Sequence, residues 1–177
     1  MKKLVLAYEL SWRTKDDKKF LQSSKWKKEI RPRILDRDNN TCQYCGHRSD
    51  KQMQVNHIDG NPKNNSDDNL ETICDWCHKI MHSGLWCVVF KIIDLYAESK
   101  YNQNEIIMIT RKMREEGKSD EEIVEFLGLK KPVPWKQDLN YLSKLFGFIS
   151  ARNPFPARHV TITEEEQRNA VENRDNW

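Results

Sequence analysis

From Ser24 to Leu35 the apolar residues Trp26, Ile30, Ile34 and Leu35 recur at helical spacing, with basic residues between them. Ser24 is suited to cap that helix, and Pro32 predicts a kink inside it. "DRDNNT" ends the helix, and "CQYCG" follows with Gly46 placed for a tight turn. The period then changes. "MQVNHI" alternates and carries a β-branched residue, which predicts a strand. "DGNPKNNSDDN" is a dense run of turn formers, and "LETI" predicts a second short strand. "CDWCHKIMHSG" returns to helical spacing, with Gly84 placed as a C-cap.

Beyond Gly84 the pattern predicts helices. "LWCVVFKIIDLYAES" reads as a long apolar helix packing on what precedes it. "NEIIMITRKMREEG" is a second helix, ended by Gly117. "KSDEEIVEFLGL" is a third, with Ser119 and Glu122 forming a capping box. "KKPVPWKQDLNYLSKLFGFIS" places Trp135, Leu139, Leu142, Leu145 and Phe146 at helical spacing. Residues 1–20 are basic and poorly periodic, with "MKKLVLAYELSW" read as a first strand or helix. The stretch from Ala151 to Trp177 reads as a loop, a short extended piece and a polar helix. The expected organisation is a basic extension at 1–23, a compact module at 24–84, a helical region at 85–150 and a polar tail at 151–177.

Composition narrows the class. The chain has 177 residues, 32% of them charged, and a mean hydropathy of −0.87. Its core must be modest or split, and a metal staple would support it. No apolar run reaches the roughly 20 residues needed to span a bilayer, so no membrane role is expected and a cytoplasmic location is. Net charge is only +3, but Met1 to Val55 holds 14 Lys/Arg against 7 Asp/Glu, whereas Glu164 to Trp177 holds 5 Asp/Glu against 2 Lys/Arg. A basic flank suits a polyphosphate partner; a solvated helix face gives the same asymmetry.

Four of the five cysteines form two C-x-x-C pairs, Cys42/Cys45 and Cys74/Cys77, with 28 residues between them. In a reducing compartment this spacing predicts one closed, structural four-thiolate zinc site. Cys87, in "LWCVVF", reads as a small buried hydrophobe. Residues 55–82 hold three of the five histidines. His78 and His82 are four apart on the expected helix, so they share a face and make a chelate for a divalent ion. Cys77 sits about 100° away around that helix and can face the zinc instead. His57 lies on the first strand, where a neutral imidazole could approach the histidine face and serve as a general base.

"NH" at Asn56-His57, "DNL" around Asn69 and "CHKIMH" from Cys77 to His82, bracketed by the two cysteine pairs, resemble the HNH or ββα-metal nucleases. The lead-in "SSKWKKEIRPRILDRDNNTCQYCG" resembles phage and bacterial members, and "VNHIDGNPKNN…NLE" resembles HNH homing endonucleases. The resemblance covers residues 24–84, about a third of the chain. It implies an α+β fold: a ββα-metal core braced by a four-cysteine zinc site, with mostly helical N- and C-terminal additions. It implies that His57 is the general base, that Asn69 fixes the loop behind it, and that His78 and His82 hold one catalytic Mg2+ or Mn2+. The family usually places Asp or His immediately before the base; here it is Asn56, a neutral and weaker ligand or a bystander.

"REEGKSDEEIVEFLGLKKPVPWKQDLNYLSKLFGF" resembles a helix-turn-helix. Its second helix would carry Lys130, Lys131, Lys136, Gln137, Asn140 and Lys144 into a major groove. A plain helical scaffold fits the same stripes. The expected function is therefore a metal-dependent endonuclease on double-stranded DNA, of homing or restriction type. A double-strand cut from one site per chain implies a dimer or two nicks. The alternatives are a zinc-stabilised DNA-binding protein without catalysis and a structure-specific or RNA nuclease.

Overall fold

The computed structural model describes residues 1–6 and 19–153. The rest of the expected N-terminal extension and nearly all of the polar tail lie outside the described residues. Within them the fold is mixed α+β, with two small antiparallel sheets and one cluster of four cysteines.

The first helical stretch begins with a π-helical turn, Trp26–Ile30, and continues as α1, Arg31–Arg37. The expected disturbance at Pro32 takes this form. Proline lacks an N–H and its ring crowds the carbonyl four residues back, and a widened turn that bonds Arg31 N–H to the Trp26 carbonyl absorbs both effects. A cysteine knuckle follows, in which Gly46 adopts φ +70° and its N–H bonds the Cys42 carbonyl at 3.0 Å. β1, Met53–His57, then pairs antiparallel with β2, Leu70–Cys74, with Asn56 opposite Glu71 and His57 opposite Leu70. A 3-10 turn, Asp67–Asn69, feeds β2. α2, Asp75–Met81, follows directly. It ends at His82, ahead of the expected glycine stop; Gly84 keeps a right-handed helical φ of −56° and leads into a second π-helical turn, Leu85–Val89.

From here the structure overturns the expectation of a helical region. "IDLYAE" is a strand, β3, Ile93–Glu98, whose Ile93 and Leu95 are buried at a period of two. α3, Gln103–Glu115, and α4, Asp120–Leu127, form as expected, each with a capping box, Asn102/Glu105 and Ser119/Glu122. The stretch expected as the last helix instead splits into β4, Lys130–Val133, a single turn α5, Leu139–Leu142, and β5, Phe146–Ile149. Pro132 and Pro134 deny a helix its N–H donors, and Pro132 sits on β4, an edge strand of a sheet ordered β4-β3-β5. The C-terminal addition thus joins two capped helices and the single turn α5 to a three-stranded antiparallel sheet that the helical expectation did not contain.

One apolar core runs from Leu4 and Leu6 through Ile34, Ile73 and Ile80 to Ile93 and Ile149, joining the hairpin to the sheet. A second, smaller core gathers Ile106, Ile123, Leu127, Leu129 and Phe148. The two halves also meet at Trp76 of α2, whose ring lies 4.4 Å from the Arg111 guanidinium and 5.2 Å from that of Arg114, both on α3. No helix among the described residues is long and apolar enough to cross a membrane.

Candidate functional site

The four cysteines meet as their spacing predicts. Cys42 and Cys45 come from the knuckle, Cys74 from the end of β2 and Cys77 from the first turn of α2. All four are buried, and their sulfurs lie within 4.8 Å of one another. The Cys45 and Cys74 sulfurs are 3.6 Å apart. Four thiolates bonded tetrahedrally to zinc at about 2.3 Å stand about 3.8 Å from each other, so the cluster fits such an ion. Its electrostatics point the same way. Mutual hydrogen bonds split the four thiols: the bond from Cys45 lowers Cys42, Cys74 is lowered too, and separate bonds with Cys42 raise Cys45 and Cys77. Four negative sulfurs cannot share this space without a cation. The Arg111 guanidinium adds a contact at 3.7 Å to the Cys74 sulfur, and Cys74 also caps α2 by accepting from the Cys77 N–H. Cys87 is separate and half-buried, its thiol pushed up to about 12 by burial and Asp94.

On α2 the i, i+4 spacing brings His78 and His82 together, their Nε2 atoms 2.9 Å apart and their rings edge-to-face. Two nitrogens bonded at about 2.1 Å to one ion, at a right angle, stand about 3 Å apart, so the pair fits a shared divalent cation. Both rings are half-buried.

Strand alternation separates the neighbours Asn56 and His57. Asn56 and Glu71 share the hairpin face that packs on α2. There the Asn56 amide donates to Glu71 at 3.0 Å and lies 3.9 Å from the Met81 sulfur. Glu71 is buried, and also accepts from the Tyr44 hydroxyl at 2.6 Å and the Lys2 ammonium at 2.5 Å. Burial and this carboxylate push the Tyr44 phenol up. His57 projects from the other face. Its ring stacks on Trp26, 5.7 Å between centroids at 16°, and its Nε2 lies 3.1 Å from the Asn65 side-chain oxygen. Among the described residues, the contacts of His57 are with these groups and not with the α2 histidines.

Asn69 does what loop geometry requires. It is buried, and its amide donates to Asp59 at 2.9 Å and to the Asn64 carbonyl at 2.8 Å, while its oxygen accepts from the Asp59 N–H at 3.0 Å. The loop from Ile58 to Ser66 is thereby tied to the start of β2. Hydrogen bonds from Asn64, from the Asn61 N–H and from Asn69 hold the Asp59 carboxyl below its usual range. Asp59 thus belongs to the turn chemistry.

The residues expected to read a DNA groove are not arrayed on a helix. Lys130 and Lys131 lie on the β4 edge, with Lys131 paired to Glu98 at 2.5 Å. Lys136 lies over the Tyr141 ring, Gln137 is in the loop, Asn140 is on the single turn α5, and Lys144 follows it; all six side chains are exposed. A four-residue helix cannot fill a major groove, and α4, which precedes these residues, opens with Asp120, Glu121 and Glu122.

Three residues of the site escape a reading of the sequence: Asn65, Glu71 and Tyr44. Trp26 is visible there only as a core position. The one signal is Glu71, a charged residue in a strand that is otherwise apolar or uncharged and wholly buried. No family model and no curated protein matches the chain.

Proposed function

We propose that the protein is a metal-dependent endonuclease of the HNH type acting on double-stranded DNA. The observation that carries this is the His78–His82 pair, set at chelating distance on the helix that directly follows the hairpin bearing His57. The four-cysteine cluster at the root of that helix, fit for zinc, supplies rigidity and leaves no position for substrate. An Mg2+ or Mn2+ ion at the two histidines, with Asn56 as a further neutral ligand, would supply charge stabilisation at the phosphodiester. The chain's own groups do the rest. His57, the last residue of β1, takes a proton from the water that attacks phosphorus, and the bond to the 3′ oxygen breaks. Trp26 and Asn65 hold the imidazole plane, and Asn69 holds the loop that carries Asn65. The basic turn Lys25–Lys28, on either side of Trp26, supplies phosphate contacts.

Cleavage of supercoiled plasmid by the zinc-loaded protein in Mg2+ or Mn2+ tests this reading. The wild type is expected to cut and His57→Ala, with its zinc retained, to lose at least about a hundredfold in rate. A second reading is supported by one specific observation: the Asn56 amide is already engaged by Glu71. On that reading the protein is a zinc-stabilised DNA-binding module without catalysis, and neither form cuts while both bind DNA.

A further inference from the structure

Asn65 lies in the densest part of the polar loop, and its position relative to His57 fixes more than a distance. The Asn65 side-chain nitrogen donates to the Lys63 carbonyl at 3.2 Å and reaches the Pro62 carbonyl at 3.5 Å. Carbonyl oxygens only accept, so that end of the amide must be the NH2. The end facing His57 is then the amide oxygen, which also only accepts. The His57 Nε2 must therefore carry the hydrogen of this 3.1 Å bond. In a neutral imidazole, a hydrogen on Nε2 leaves the lone pair on Nδ1.

Resting on the nuclease reading above, we propose that Asn65 is the positioning residue of the general base: it fixes the His57 tautomer and presents Nδ1 as the atom that takes the proton from water. Trp26 sets the plane of the ring by stacking, and Asn65 sets its rotation within that plane and which nitrogen carries its hydrogen. Neither touches the reacting atoms. Around the ring, the turn preceding α1 contributes Trp26, β2 contributes Leu70 across the hairpin, and the loop contributes Asn65 and, through its charge, Asp59. An amide is the suitable partner here. It orients the base by accepting one hydrogen bond, without a charge of its own.

Long-range proton–nitrogen correlation spectra of the zinc-loaded, full-length protein read the tautomer directly. The neutral wild-type His57 is expected to show a protonated Nε2 and a lone pair on Nδ1. Asn65→Asp, whose side-chain oxygen can still accept from Nε2, is expected to keep the wild-type tautomer. Asn65→Leu is expected to give a mixed tautomer and a fall in kcat at nearly unchanged KM. A wild-type ring protonated on Nδ1, or an Asn65→Leu ring that keeps the wild-type tautomer, overturns the assignment without needing any variant to be active. Absence of wild-type cleavage beside the expected tautomer removes the nuclease reading and the catalytic purpose of the contact with it. Cleavage beside the opposite tautomer removes the role of Asn65 alone.

Discussion

Residues 24–84 and residues 85–150 are similar in length and are held together by different means. The first unit has two five-residue strands, short helices and a long polar loop. It buries Asn56, Asn69, Glu71 and Thr72 beside the four cysteines. The second closes Ile106, Ile123, Leu127, Leu129 and Phe148 under two capped helices and a sheet. Buried polar groups cost free energy unless each is partnered, so a unit that keeps many of them needs another source of stability. In the first unit a metal can provide it. On the proposed function, chemistry sits where more polar groups are buried and organised, and the second unit, which buries Gln103 and Thr110 of its own, serves as its platform.

Removing the metal should break the comparison most severely. Chelation, or Cys77→Ser, leaves buried thiols without a cation and detaches the knuckle from α2. Loss of tertiary structure across residues 24–84 is expected, because binding of a structural zinc is worth on the order of 10 kcal/mol in small zinc modules. Near-ultraviolet circular dichroism, which sees Trp26 and Trp76, measures it, and added Zn2+ should restore the signal. Retention of full tertiary structure in the apo protein would show that the apolar core, shared by both units, suffices alone.

Phe148→Ala inverts the test. This fully buried ring fills the second core, and its loss should cost about 3–5 kcal/mol. Thermal unfolding measures that cost, while the visible spectrum of a Co2+-substituted cluster is expected to stay unchanged. A changed spectrum would mean that the sheet shapes the metal site and is more than its platform. The route for such coupling is the Arg111 contact to Cys74, beside the stacking of Trp76.

How well each half could be read from sequence follows the same division. The cysteine cluster, the hairpin and its polar loop, and the His78–His82 pair are written in local spacing, and the structure assembles them as expected. So are the two capping boxes, whose partners are three residues apart. The sheet was not legible. "IIDLY" fits a helix or a strand equally well alone, and its period becomes decisive only once Ile93 meets Ile149 and Leu95 meets Gly147. Gly147 itself sits where an added Cβ would come within 2.9 Å of Ile80, a packing demand no local pattern reveals. In the site, Asn65 and Glu71 were hidden for a related reason: their roles depend on how a loop folds back and on which residues face each other across a hairpin.

Asn56→Asp is the gentlest and sharpest probe of the polar unit. On the proposed nuclease reading, the substitution sets a carboxylate immediately before His57 and gives a stronger cation site. The structure argues for a condition. The present amide donates to Glu71 at 3.0 Å, and a carboxylate in its place accepts only, so attraction becomes repulsion beside a buried carboxylate. Lys2, with its half-exposed ammonium, offsets part of this. The introduced group should titrate above the ordinary carboxylate range in the folded protein. Its destabilisation is then absent in acid, where it holds a proton in both states, and grows as pH rises from the unfolded-state value to the raised folded one. At neutral pH a loss of about 1–2 kcal/mol is expected without a divalent cation. Mg2+ or Mn2+ should recover it if Asn56 faces the ion held by His78 and His82. Thermal unfolding against pH, with and without the cation, measures both effects. Recovery by the ion supports position 56 as a ligand, and a cost that no ion relieves makes Asn56 a partner of Glu71 alone.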